Sequence, residues 1–102
     1  MTIIKLIAEH IEEETEDAKN YAKMSVEYKT IYPELASVFD KLSHDEVRHA
    51  NMLHEQVVAF INKHRETNGE PPPIMMALYE HLHKKDIERM EEAKRYQELY
   101  KD

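Results

Sequence analysis

Two glutamates and a histidine stand at positions where the helical pattern of the chain otherwise carries apolar residues. Glu46 and His49 are three residues apart, so on a helix their side chains point the same way, one turn apart. Glu14 interrupts a second apolar pattern upstream. Carboxylates are hard oxygen ligands and imidazole is an intermediate nitrogen ligand, and together they suit iron, manganese or zinc. The three residues are therefore candidate metal ligands.

The patterns that these residues interrupt are two stripes that step by three and four residues. One stripe consists of Leu35, Phe39, Leu42, Glu46, His49, Leu53, Gln56 and Phe60. The other consists of Ile4, Ile7, Ile11, Glu14, Ala18, Tyr21, Ser25 and Tyr28. This rhythm places each set on one face of one helix. Burying an ionised carboxylate without a partner costs on the order of several kcal/mol, so two interrupted stripes that face each other predict a shared cation.

Composition indicates the fold class and excludes several kinds of function. The chain has 102 residues, one glycine, four prolines and 34% charged residues, which predicts a single all-α domain. The net charge of −7 argues against a nucleic-acid partner, and the absence of cysteine excludes disulfides and thiolate-ligated metals. Residues 2–8 are apolar but interrupted by Lys5, too short for a signal peptide or a membrane span. We expect a cytoplasmic protein without a membrane segment.

The positions of the prolines and of the single glycine predict three helices, at about residues 2–30, 34–67 and 74–100. Pro33 separates the first two helices, because proline disfavours the helical conformation in the residue before it. Gly69 ends the second helix, and residues 70–73 form a stiff proline linker. The tight turn at Pro33 makes the first two helices an antiparallel hairpin. The third helix is predicted to pack outside this core or to swap onto a neighbouring subunit.

The hairpin brings the three candidate ligands to one height. Glu14 lies 19 residues before Pro33, and Glu46 and His49 lie 13 and 16 residues after it. With a rise of about 1.5 Å per residue, Glu14 and His49 fall within one helical turn of the same level. One hairpin supplies only three ligands, whereas two hairpins related by a two-fold axis supply four carboxylates and two imidazoles. This count favours a homodimer, or a higher multiple of dimers, with the metal site between subunits.

These motifs resemble those of ferritin-like proteins of the rubrerythrin and encapsulated-ferritin type. The resemblance covers about residues 4–63 and rests on Glu14 followed by Tyr21, and on the segment Asp45-Glu46-Val47-Arg48-His49-Ala50. Metal-binding four-helix bundles of this kind take one Glu from each of two helices and Glu-x-x-His from each of the other two. The resemblance implies an all-α, ferritin-like helical hairpin plus a third helix, with the four-helix bundle completed by dimerisation.

The resemblance also implies a di-iron centre and a reaction. Glu14 would be a terminal carboxylate ligand, Glu46 would bridge the irons and His49 would supply a nitrogen. Apart from the resemblance, Glu13 is a weaker substitute ligand, because the register of the acidic run around Glu14 can slip by one turn. The implied activity is a ferroxidase-type oxidation of Fe(II) by O₂ or peroxide, with Glu14, Glu46 and His49 as catalytic residues. Manganese or zinc could take the place of iron. An encapsulin shell is left open as a partner, although residues 97–102 do not resemble the apolar targeting peptide of encapsulin cargo.

Two other functions fit the same residues. One is a metal-binding or metal-buffering helical bundle that holds zinc or manganese without turnover. The other is a metal-free helical oligomer in which the polar residues of the stripes pair with each other and set the register of the helices.

Glu80 and His83 form a second Glu-x-x-His on the third helix. The apolar arc of that helix consists of Met75, Leu78, Tyr79, Leu82, Met90, Ala93 and Tyr100. His83 lies at the edge of the arc and Glu80 beyond it, so both are predicted at the surface. Asp86 lies nearer the centre of the arc, where a salt bridge at a subunit contact would explain it. The histidines off the two stripes, His54 among them, are also predicted at the surface.

Overall fold

The computed structural model describes residues Thr2 to Asp102, and these form three α-helices. The helices are α1 (Thr2–Tyr28), α2 (Pro33–Asn68) and α3 (Pro73–Lys101). Their ends agree with the predicted ones to within two residues, and no strand occurs in the described part of the chain, which confirms the all-α class. Met1, the first residue of the predicted domain, lies outside the described residues. No helix within residues 2–102 is long and apolar enough to cross a membrane.

Two prolines and the single glycine delimit the helices. Pro33 is at the start of α2 and Pro73 at the start of α3, where the N–H that proline lacks has no partner inside the helix in any case. α2 ends at Asn68 because Gly69 has a φ of 78°. Glycine adopts this left-handed conformation without the steric cost that a side chain brings, and it commonly follows the end of a helix.

α1 lies between the other two helices and contacts both along its length, whereas α2 and α3 touch at few points. α2 runs antiparallel to α1, as the tight turn requires. α3 runs parallel to α1, since Arg89 Nε pairs with Glu16 at 3.0 Å and, further along both helices, Glu92 pairs with Lys19 at 3.7 Å. The third helix therefore packs on its own hairpin in this structure. The molecule is elongated, with extents of 55 × 19 × 18 Å.

The core consists of two clusters of buried apolar side chains. The first contains Ile4, Ile11, Ala50, Val57 and Ile61, and joins the far end of the hairpin to the start of α3 through Met76 and Tyr79. The second contains Ala18, Ala22 and Ala93. Small side chains at this second contact let the backbones of α1 and α3 approach closely.

The predicted stripe of α2 is a real face of the helix, but it is not the buried face. The buried residues of α2 are Ala36, Ser43, Ala50, Val57 and Ile61, none of which belongs to that stripe. The stripe lies on a neighbouring face and is half-buried or exposed. In α1, every second member of the stripe is buried: Ile4, Ile11, Ala18 and Ser25. The alternate members, Glu14 among them, are half-buried.

Asp86 is a buried carboxyl group on α3 that faces α1. The Thr15 hydroxyl donates to its Oδ1 at 3.4 Å, and Arg89 Nη1 lies 3.9 Å from the same oxygen. The proposed salt bridge at a subunit contact is therefore wrong, because its partners belong to the same chain. Burial raises the pKa of Asp86 above its usual value, and the hydrogen bond from Thr15 and the charge of Arg89 offset this only in part.

Asp86→Asn is expected to stabilise the protein near neutral pH by up to about 1 kcal/mol, because asparagine keeps the acceptor for Thr15 and removes a buried charge. A raised pKa means that the carboxyl supports folding below the unfolded-state pKa, and that this support is lost as pH rises through the folded-state pKa. The difference between variant and wild type should therefore vanish in acid. Urea unfolding at neutral and at acidic pH measures this difference in the free energy of unfolding. A loss of stability in Asp86→Asn at neutral pH would show that the ion pair with Arg89 contributes more than the burial of the charge costs.

Candidate metal centre

Glu14, Glu46 and His49 come together near the middle of the α1–α2 hairpin. His49 Nδ1 lies 3.5 Å from Glu14 Oε2 and 3.7 Å from Glu46 Oε1. One ligand atom of each residue lies within 4.8 Å of the other two. Among residues 2–102, no other three histidine or acidic side chains converge in this way. The three predicted ligands are thus neighbours in space, and we call them the metal cluster.

A chain of hydrogen bonds one turn away holds the helices in this register. The Ser43 hydroxyl donates to the Ala18 carbonyl at 2.6 Å, and Gln97 Nε2 donates to the Ser43 oxygen at 2.9 Å. The three groups are buried and link all three helices. Sequence reasoning missed them, although the spacing of Ala36, Ser43, Ala50 and Val57, seven residues apart with mostly small side chains, was a readable sign of close helix packing.

The metal cluster is partly shielded from solvent. The side chains of Glu14, Glu46 and His49 are 26%, 17% and 44% exposed. Glu14 Oε2 is itself buried and has no hydrogen-bond partner within the described residues. An unpartnered buried carboxylate oxygen is costly, and a bound cation would supply the missing partner. Two carboxylates and one imidazole form a ligand set suited to iron, manganese or zinc, so the residues fit such an ion.

The metal cluster lies on a side of the hairpin that α3 does not cover. α3 packs against the flank of α1 that carries Thr15, Glu16 and Lys19, whereas Glu14 points towards α2. We call the uncovered side the open face, and it consists of Ile7, Glu14, Tyr21 and Tyr28 of α1 with Leu35, Phe39, Leu42, Glu46, His49, Leu53, Gln56 and Phe60 of α2. All of its residues are half-buried or exposed. The open face is thus largely apolar, with one charged cluster at its centre.

The structure separates the metal cluster from the weaker candidates. The side chain of Glu13 is 73% exposed and lies 3.7 Å from His10 Nδ1, outside the cluster. Glu80 is exposed, as predicted. The prediction that His83 and His54 are ordinary surface residues is wrong, because both are half-buried and their rings stack on each other.

Comparisons with known proteins do not assign the chain to a family. No protein-family model matches it, and neither a curated protein nor a solved structure matches it significantly. The function of the protein is therefore inferred from its residues and their geometry.

Proposed function

We propose that the protein binds two iron ions between two copies of the chain and oxidises Fe(II) with O₂ or peroxide. The observation that carries this proposal is the buried, unpartnered Oε2 of Glu14, placed beside Glu46 and His49 on the open face. A cation would give that oxygen a partner, and the neighbouring side chains are potential metal ligands rather than lysine or arginine. The resemblance of the two motifs to ferritin-like proteins supports iron as that cation.

The proposed site requires a second copy of the chain. One hairpin offers three ligands from one side, and a second hairpin, related by a two-fold axis through the open face, would offer the other three. Apolar surface on this face supports the arrangement, because extended apolar patches favour association. Leu35 and Phe60, at the two ends of the α2 stripe, are 44% and 37% exposed. Four helices from two hairpins would then form the bundle, with each α3 on its outside.

The residues of the metal cluster have distinct roles in this proposal. When bound, two Fe(II) ions supply one electron each, which together with two protons reduce O₂ to hydrogen peroxide and leave two Fe(III). Glu14 and Glu46 hold the iron and favour Fe(III), since hard anionic oxygens bind the higher charge more strongly. His49 adds a neutral nitrogen. The apolar residues of the open face limit the access of water once two copies meet, which strengthens the electrostatic interactions inside.

One observation favours a metal-free alternative. His49 Nδ1 lies close to both carboxylates, at 3.5 and 3.7 Å, and a protonated imidazole at this position would form an ion pair with each. In that case the metal cluster would set helix register in a structural oligomer.

Metal analysis followed by stopped-flow oxidation tests the proposal. Wild-type protein, loaded with Fe(II) without oxygen and mixed with O₂, should oxidise two irons per dimer faster than buffer does. His49→Leu should bind iron more weakly and slow oxidation by about tenfold or more, yet remain folded, because leucine suits the apolar face. His81→Leu, which changes an exposed histidine on α3, is the matched control and should behave as wild type.

The remaining outcomes separate the rival functions. Protein that binds iron but oxidises it no faster than buffer would leave metal buffering as the function. Protein that retains no iron, manganese or zinc after dialysis against these metals would leave the metal-free helical oligomer.

A further inference from the structure

Three aromatic rings stack across the seam between α2 and α3. The rings of His54 on α2 and His83 on α3 have centroids 4.6 Å apart and planes at 11°. The Tyr79 ring lies 5.7 Å from that of His83, and its hydroxyl is 3.1 Å from His54 Nδ1, within hydrogen-bond distance. We call these residues the ring stack. In the described part of the chain, this contact and the Gln97–Ser43 bond are the side-chain hydrogen bonds that join α2 to α3.

The geometry of the ring stack does not suit a metal ion. The lone pairs of an imidazole lie in the plane of its ring, and two nearly parallel planes at this separation do not direct their lone pairs at one point. The ring stack is also outside the only cluster of potential ligand atoms that residues 2–102 form. Its two histidines are therefore better suited to a role that depends on their protonation.

The surroundings of the ring stack disfavour positive charge on His54. Burial lowers the pKa of His54, and the nearby His83 lowers it further, while Glu55 on α2 acts in the opposite direction. On α3, the charge of His83 lowers the pKa of the nearby Asp86, whereas the charge of Glu12 on α1 raises it. α1 itself presents Ile11 to this seam. Neither imidazole has a carboxylate within ion-pair distance among residues 2–102.

We infer that the ring stack is a pH-sensitive latch, which holds the first half of α3 on the hairpin while both imidazoles are neutral and releases it when both are protonated. Two like charges on stacked rings repel, and partial burial strengthens that repulsion. A cavity of about 180 Å³ beside the rings, lined by Ile11, Ala50, Asn51 and the two histidines among others, leaves the seam loosely packed. The latch is separate from the metal cluster, and its failure would not affect the proposed iron site.

The second half of α3 should stay in place when the first half is released. Its contacts with α1 include the alanine cluster of Ala18, Ala22 and Ala93 and the ion pair between Lys19 and Glu92, none of which involves a histidine. Because the pKa of His54 is lowered in the folded state, its contribution to holding the first half of α3 on the hairpin is complete above the usual histidine pKa of 6.5. This contribution is lost as pH falls through the folded-state pKa. Release is therefore expected on mild acidification.

Hydrogen exchange of the full chain, kept free of metal by a chelator, tests the latch. Amide protection, corrected for the intrinsic effect of pH on exchange, should fall by about tenfold in residues 74–84 between mildly alkaline and mildly acidic buffer, relative to residues 90–100. His83→Phe keeps a flat ring without a charge and should remove most of this fall. His81→Gln, which changes an exposed histidine on the same helix, should leave the fall in amide protection unchanged.

Three results would overturn the latch. They are equal loss of protection in both halves of α3, no loss in the wild type, and a His83→Phe variant with the pH dependence of the wild type. If His83→Phe already lowers the amide protection of residues 74–84 in alkaline buffer, the His54→Phe variant, which removes the other charge, is measured in its place. A His54→Phe variant that keeps the wild-type fall in protection between alkaline and acidic buffer would then overturn the latch.

Discussion

Glu46→Ala should abolish most of the rise in melting temperature that Fe(II) or Mn(II) gives to the wild-type protein. A metal that binds only the native state stabilises it by about 2.7 kcal/mol when its free concentration is a hundred times the Kd. In a domain of about this size, 1 kcal/mol shifts the melting temperature by roughly 4–8 °C. We therefore expect a rise of about 10 °C or more for the wild type. Thermal unfolding followed by circular dichroism, with and without metal, measures it.

Glu80→Ala is the matched control for this prediction. It makes the same change in the second Glu-x-x-His, where Glu80 is exposed, and it should keep nearly all of the metal-dependent rise. If Glu80→Ala loses the rise and Glu46→Ala keeps it, the metal binds on α3. In the wild type the rise should also diminish in acid, because carboxylate and imidazole ligands must lose their protons before they bind metal.

The double variant Leu35→Glu/Phe60→Glu should convert the proposed metal-loaded dimer to a monomer of 12.2 kDa. Both residues lie on the open face, away from the metal cluster along α2. Burying a large apolar side chain contributes roughly 1.5–3 kcal/mol, and the two-fold axis doubles the number of side chains that are lost. Dimerisation should weaken by at least about a hundredfold. Analytical ultracentrifugation at micromolar concentration measures the change, and metal affinity should fall with it because each monomer keeps only half of the ligands.

Ile74→Glu/Leu99→Glu is the corresponding control. These residues are on α3 and are 85% and 56% exposed, more than the pair on the open face, so the control adds the same charge at more accessible positions. It should leave the dimer intact. Dissociation of the control variant alone would place the subunit contact on α3, and a wild-type monomer in the presence of metal would rule out the shared site.

The helices and the metal cluster could be predicted because their causes are local or nearly so. Pro33 and Gly69 restrict their own backbone and that of their neighbours, so the ends of the helices follow from the residues at the breaks. A tight turn and a constant rise per residue then determine which levels of α1 and α2 meet. Glu14, Glu46 and His49 come together for that reason, and no knowledge of the rest of the molecule was needed to expect it.

The face of α2 that packs on α1 does not follow from the apolar stripe, because burial depends on what a helix packs against. Large apolar residues define the stripe from Leu35 to Phe60, but α1 approaches the side that carries Ala36, Ser43 and Ala50. Small side chains allow close contact between helices, and a pattern of large hydrophobic residues does not reveal this preference. The result is an apolar open face, which the proposed dimer would cover.

The position of α3 was decided by the tertiary structure alone. Its buried residues are Asp86, Ala93 and Gln97, two of them polar, so hydrophobic periodicity could not identify the face that packs on α1. Asp86 is buried because Thr15 and Arg89 meet it there, and His54 and His83 stack because parallel docking on α1 brings α3 alongside α2. The contacts of Asp86 with Thr15 and of His54 with His83 join residues far apart in sequence. The sequence by itself therefore determined the helices and the clustering of three candidate ligands in the hairpin, whereas the docking of the third helix depended on the sum of many weak long-range contacts.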